Sequence, residues 1–119
     1  MDANCSINKT ADLIGKRWTI LIILELYKGK NLKKRYSELK KKLPGITAKI
    51  LSLRLKELEK YKLISKKIDS KNFQIKSEYS LTKEGLEFIK VIESIKQWSL
   101  NNCFKNPNCK KTDCKNCGL

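Results

Sequence analysis

Residues 36–64, running from Tyr36 to Ile64, read YSELKKKLPGITAKILSLRLKELEKYKLI, and their periodicity decides the fold. Two short helical patterns flank a four-residue break at Leu43-Pro44-Gly45-Ile46. Proline lacks the N–H that a helix interior needs, and glycine takes the backbone conformations that end a helix. Ser37, followed by Glu38 and Leu39, opens the first pattern. Thr47 opens the second, with a hydroxyl suited to accept from a free amide of the first turn. At about 100° per residue, Leu51, Leu55 and Leu58 share one face of the second helix, flanked by Thr47 and Ala48. Lys49, Ser52, Leu53, Lys56 and Lys60 fall opposite. A bracing helix followed by one with a polar, basic outer face is what a helix–turn–helix offers to a DNA major groove. Leu53 on that polar face has two readings, contact with a thymine methyl or partial burial against a neighbouring element.

The charge is concentrated on the same stretch. The chain carries 27 Lys/Arg against 12 Asp/Glu, and residues 28–71 hold sixteen and four of these, a net +12 of the total +15. Residues 1–27 and 79–100 each balance three basic groups against three acidic ones, and residues 101–119 add four Lys and one Asp. A compositional bias towards lysine would raise the charge everywhere, whereas here the flanks are neutral. A solvated lysine face explains a basic surface but not its position. A polyanionic partner explains both.

A chain of 119 residues makes one domain with a single core. No run of about 18 apolar residues exists, so no membrane span is expected, and MDANCSIN lacks the basic and apolar regions of a secretory signal. A cytoplasmic location is the expectation. Thr10 or Asp12 can cap a short helix running to Gly15, and Trp18–Tyr27 then reads as a nearly all-apolar, buried helix stopped by Lys28-Gly29-Lys30. Residues 63–68 and 75–81 have strand character around the turn-rich Asp69-Ser70-Lys71-Asn72, which predicts a β-hairpin. Thr82 caps a last amphipathic helix, with Glu84 and Glu87 early in it and a stripe of Leu86, Ile89, Ile92 (or Val91), Ile95 and Trp98. The expected fold class is mainly α with a small β-hairpin wing, a winged helix–turn–helix. The long stripe predicts pairing of two copies as a homodimer, shared with the N-terminal helix.

Over residues 5–100 the chain resembles the HxlR-type winged helix–turn–helix transcription regulators, relatives of the MarR group. The matching pieces are Cys5 followed by Asp12-Leu13-Ile14-Gly15 and Lys16-Arg17-Trp18-Thr19; Tyr36-Ser37-Glu38-Leu39; Leu43-Pro44-Gly45-Ile46-Thr47; Arg54-Leu55-Lys56-Glu57-Leu58; and Glu78-Tyr79-Ser80-Leu81-Thr82 with Gly85. The resemblance implies a homodimer on a double-stranded DNA operator. The Thr47 helix would lie in the major groove, with the wing, Lys71 included, beside the minor groove. It implies DNA contacts by Lys49, Ser52, Arg54 and Lys56, and pairing through the terminal helices. Lys16 stands where the family usually has a second Gly, Ala48 where Pro is common, and Leu53 where Gln is common; the last bears on which sequence is read. The resemblance also makes Cys5 a candidate redox sensor, by disulfide exchange with the partner subunit or adduct formation; a buried, inert thiol is the other reading.

Residues 1–100 thus read as the winged domain and 101–119 as an added tail. Cys103, Cys109, Cys114 and Cys117 give C-x5-C-x4-C-x2-C within fifteen residues of a chain that has no histidine. Four thiolates in so short a segment suit a soft metal. Zinc usually draws on two C-x2-C knuckles and only one is present; the irregular spacing is similar to the iron–sulfur tails of some other helix–turn–helix regulators. An iron–sulfur cluster or Zn²⁺ is therefore expected. With no histidine, no glycine-rich phosphate loop and no paired carboxylates on an apolar face, acid–base or nucleophilic catalysis has no evident seat. A sequence-specific DNA-binding regulator, redox- or metal-responsive through its cysteines, is the expected function. The alternative is a general nucleic-acid-binding or chromatin protein with a structural zinc tail.

Overall fold

The computed structural model describes residues 2–70 and 75–118. Helices α1 (Ser6–Ile14) and α2 (Thr19–Lys28) lead through a 3₁₀ turn (Lys30–Leu32) into strand β1 (Lys33–Arg35). Helices α3 (Tyr36–Lys42) and α4 (Ala48–Lys60) follow, then β2 (Ile64–Asp69), β3 (Lys76–Leu81), α5 (Lys83–Asn102) and α6 (Pro107–Lys111). The sheet is antiparallel in the order β1-β3-β2. The β2–β3 wing runs in register from Ile64↔Leu81 to Asp69↔Lys76, and β1 lies on the other edge of β3, Lys33 opposite Ser80. This is the winged helix–turn–helix class expected, with one strand more than the hairpin. Lys33-Lys34-Arg35 has no apolar alternation to announce a strand; it pairs because β3 would otherwise keep an open edge.

Helix α2 and strands β2 and β3 shift by about one residue from expectation, and two further helix starts differ. Helix α1 starts at Ser6 with Cys5 at its N-cap, so Thr10 and Asp12 lie inside it; the Lys9 amide already donates to the Cys5 carbonyl at 3.0 Å. Helix α3 starts at Tyr36, one residue earlier than Ser37, because Glu38 reaches back to accept from the Arg35 amide at 3.3 Å.

The core gathers Ile22, Ile23 and Leu26 of α2, Leu39 of α3, Leu51, Leu55 and Leu58 of α4, Ile64, Tyr79 and Leu81 of the sheet, and Ile89 and Ile92 of α5. Helix α2 is its centre, as its apolar sequence required. Its one buried carboxylate, Glu25, bonds Lys34 at 2.8 Å and lies 3.5 Å from Lys28, which clips β1 to α2. Helix α4 ends with Lys62 at φ 64° and the Leu63 amide donating back to the Leu58 carbonyl at 3.0 Å, a left-handed terminus usually given to glycine. At the next joint Gly85 brings α5 against the start of β2: a Cβ there would lie 2.1 Å from the Leu63 carbonyl oxygen.

The stripe of α5 divides in two. Ile89 and Ile92 belong to the domain's own core, while Val91, Ile95 and Trp98 stay exposed, Trp98 at 61%. Ile92 is therefore a packing residue and not an outward one, since the wing and α2 approach α5 on that side. Among the described residues no helix is long and apolar enough to cross a membrane.

Candidate nucleic-acid interface

Thr47 caps α4 as its position in the sequence required, its hydroxyl accepting from the Ile50 amide at 3.2 Å. The three buried leucines fix the rotation of the helix and turn Lys49, Leu53 and Lys56 to solvent; Leu53 is 44% exposed. Lys60 is exposed one turn further on. Leu53 is thus an apolar group, partly covered and partly exposed, on an otherwise basic surface. Ser52 is half-buried, and its Oγ lies 3.4 Å from the Tyr36 hydroxyl, which also donates to the Ala48 carbonyl at 3.2 Å. Tyr36 opens α3, so its hydroxyl ties the bracing helix to the polar face of α4. The sequence signals the residue but not this role.

Beside α4, a shallow recess is lined by Ser52, Leu55, Lys56, Glu59, Lys66 and Tyr79. Lys66 sits 5.9 Å over the Tyr79 ring, and Lys67 is exposed next to it on β2. Burial, with Glu59 and Tyr36 nearby, raises the Tyr79 phenol above its ordinary pKa, so it stays a neutral support for the basic surface. Lys71 lies outside the described residues, whereas Lys66 puts the wing's positive charge next to α4, and Lys67, the next residue on the strand, is on the other face of the sheet. Only their place on the strand after α4 marked them in the sequence.

Arg54 is drawn to the flank of α4. Its Nη1 donates to Glu57 Oε1, and Lys16 Nζ donates to Glu57 Oε2 at 2.6 Å. The Lys16 hydrogen bond, then Arg54, hold the Glu57 carboxyl below the usual glutamate range against the opposing effect of burial. These partners are solvent-exposed enough that the Lys16 pair contributes only about 0–1 kcal/mol to stability.

The arrangement can grip a polyanion along one helix and the adjoining strand, and it offers no group poised for bond chemistry. The sequence comparisons agree. A family model, the HxlR-like helix-turn-helix, matches residues 13–107. The chain belongs to the HxlR-like helix-turn-helix family. It is 37% identical over 94 residues to the uncharacterized HTH-type transcriptional regulator YdeP of Bacillus subtilis, covering 79% of this chain and 70% of that one. Among solved structures it is similar to the reduced form of the transcriptional regulator YodB of B. subtilis, with a TM-score of 0.72, 32% identity, and 86% and 97% of the two chains covered. It is also similar to the redox regulator HypR in its oxidised form, at a TM-score of 0.70, 30% identity and 84% and 99% coverage. This HxlR-like chain is thus a transcription regulator with a helix–turn–helix DNA-binding fold, and not an enzyme.

The cysteines occupy two places. Cys5, partly exposed, caps α1. In the tail, Asn106 caps α6 by accepting from the Asn108 and Cys109 amides, and Asp113 accepts from the Asn116 amide at 2.9 Å, which bends the chain between Cys114 and Cys117. Lys115 anchors this turn on α2, donating to the Tyr27 carbonyl at 2.6 Å and standing 4.6 Å over the Tyr27 ring. Lys96 of α5 donates to the Thr112 carbonyl at 2.6 Å. Cys109, Cys114 and Cys117 are half-buried, while Cys103, just past α5, is exposed. Burial pushes the Cys114 thiol up and Lys96 pulls it down; Cys109 and Cys117 are near enough to push it up further. Among the described residues no three cysteines or carboxylates lie together as a metal-holding group.

Proposed function

We propose that this chain is a homodimeric, sequence-specific DNA-binding regulator whose operator affinity responds to its cysteines. The observation that carries the DNA reading is the solvent-facing set of Lys49, Leu53 and Lys56 on α4, with Lys66 of the wing beside it. Lysines that meet phosphate hold the helix in register, and Leu53, with Ser52 behind it, faces base edges, where a thymine methyl is the matching surface. Arg54 joins the contacts on leaving Glu57, and Lys71, between β2 and β3 in the sequence, is a further candidate contact. The exposed Val91, Ile95 and Trp98 of α5, with Ile7 of α1 71% exposed, supply the self-pairing surface. Two linked helices are needed to span half-sites about one DNA turn apart.

Cysteine responsiveness is supported by the relatives: YodB is known in reduced, diamide-treated and quinone-bound forms, and HypR in reduced and oxidised forms. Cys5, partly exposed at the α1 N-cap, is the candidate sensor. The tail is a second candidate, binding Zn²⁺ or an iron–sulfur cluster through Cys103, Cys109, Cys114 and Cys117. The turn that holds Cys114 and Cys117 against α2, with Cys109 near enough to influence the Cys114 thiol, supports it.

Selection from a random duplex pool tests the first part. An enriched two-half-site sequence is expected, with Lys56→Ala weakening every duplex and Leu53→Gln changing the preferred bases. Uniform binding without enrichment would instead favour a general nucleic-acid-binding protein. For the tail, metal content and visible spectrum after anaerobic purification are compared with the Cys114→Ser/Cys117→Ser protein. Equal metal in both would remove the four-cysteine site. Operator binding that responds to oxidant equally in the wild type and in Cys5→Ser would remove Cys5 as the sensor.

A further inference from the structure

Lys16, Glu57 and Arg54 join the turn between α1 and α2 to the flank of α4. Glu57 divides its carboxylate between two cations, Oε2 to Lys16 at 2.6 Å and Oε1 to Arg54. Arg54 Nε is buried without a hydrogen-bond partner, so the Glu57 contact is what holds the guanidinium where it lies. Lys9, Asp12, Leu13 and Tyr61 complete the groove around Lys16 and Glu57.

A negative charge at this place is awkward for a helix that approaches a polyanion. An unneutralised Glu57 would repel phosphate and hold Arg54 to itself. Lys16 changes both effects. With its charge already on the carboxylate, Arg54 can exchange Glu57 for a phosphate or base edge without leaving an unpaired anion behind. A partly exposed ion pair is weak enough to exchange in this way, which a buried one is not. The geometry points to Lys16 as a positioning residue for DNA reading: it neutralises Glu57 and thereby releases Arg54 to the nucleic acid. This rests on the DNA-reading function proposed above. It also makes the α1–α2 turn, which the single helix α1 separates from Cys5, part of the reading apparatus.

The test measures operator affinity by fluorescence anisotropy across a salt series. It uses the wild type, Lys16→Met, Lys16→Arg, Glu57→Gln and the Lys16→Met/Glu57→Gln double variant, with Lys56→Ala as control and circular dichroism to confirm folding. Loss of one phosphate contact lowers the slope of log K against log salt by about 0.9, and about three- to tenfold in affinity accompanies it. That is expected for Lys16→Met. Lys16→Arg is expected to retain wild-type behaviour, and the double variant to recover it, because an uncharged amide at position 57 no longer holds Arg54. A double variant as weak as Lys16→Met would mean that Lys16 touches DNA itself, and would overturn the proposal. So would an unaltered Lys16→Met alongside a weakened Lys56→Ala, a result that leaves the DNA-reading function standing. If Lys56→Ala is also without effect, it is the reading by α4 that fails, and this inference with it.

Discussion

Gly85→Ala separates two physical effects by the sign of the result. Gly85 sits in the first turn of α5, where helix propensity alone makes alanine the better residue by about 1 kcal/mol. The structure predicts the opposite. An alanine Cβ would stand 2.1 Å from the Leu63 carbonyl oxygen and 3.0 Å from Leu81 Cδ2. The first of these is backbone and cannot swing aside. The same carbonyl accepts from the Thr82 amide at 3.1 Å, and the neighbouring Lys62 carbonyl accepts from the Thr82 hydroxyl at 2.6 Å. Moving α5 outward by about an ångström strains both bonds. Overpacking costs about 1–3 kcal/mol and a lost hydrogen bond about 1. Against a propensity gain of about 1 kcal/mol, the net destabilisation is about 2 kcal/mol. For a domain of this size that is about 6–10 °C in the melting temperature. Thermal melts by circular dichroism at one protein concentration, with urea titration as a check, give the answer. A melting temperature equal to or above the wild type would refute the close approach and with it the packing of α5 on the wing.

Three further outcomes follow from particular atoms. Lys62→Gly should stabilise by about 1 kcal/mol, because residue 62 holds a left-handed φ that costs a side chain about that much; urea unfolding showing a loss would mean the lysine makes a contact worth more than its strain. Ile95→Lys should give a folded monomer by sedimentation, whereas Ile92→Lys should not fold, since Ile92 is 4% exposed in the core and Ile95 is 41% exposed; a dimeric Ile95→Lys would move the interface elsewhere. In a protein whose only cysteine is Cys114, alkylation at pH 8 should run slower folded than in urea, because burial lifts its thiol pKa above the unfolded value. The neutral thiol's contribution to stability is then whole below the unfolded pKa and is lost as pH rises through the folded one; a lower apparent pKa in the folded protein would refute the burial.

The helix–turn–helix was legible because its signals are local and mutually consistent. Pro44 and Gly45 break the pattern, Thr47 caps α4, and Leu51, Leu55 and Leu58 point inward as their spacing requires. The outward set of Lys49, Leu53 and Lys56 followed from the same periodicity. What the sequence withheld is set by contacts distant in the chain. Strand β1 forms on basic residues only because β3 offers an edge. Lys16 and Glu57 meet across 41 positions, and no pattern in either segment announces it. Ile92 and Ile95 look alike on a helical wheel, and only the approach of the wing and α2 decides that one is core and the other surface.

The tail's attachment is governed by a close balance. Two lysine hydrogen bonds hold it, Lys115 to the Tyr27 carbonyl and Lys96 to the Thr112 carbonyl, both at 2.6 Å. Bonds to a charged donor contribute about 1.5–3 kcal/mol each when sheltered and less when exposed, as the Lys115 bond is. Ordering each residue's backbone costs about 1–2 kcal/mol, so docking gains little or nothing from these two bonds alone. Bonding among the thiols, whether through a metal or a disulfide, is then the largest contribution available to decide whether the tail stays down. The contact point gives that decision consequence. Tyr27 lies two residues beyond Glu25, whose pairing with Lys34 clips β1 to α2, and β1 in turn edges the wing. A tenfold change in DNA affinity needs only about 1.4 kcal/mol of difference between docked and released states. The two lysine bonds alone do not leave that much once the chain is ordered, so only a bond among the thiols would give the docking of the tail enough energy to alter how the wing meets DNA.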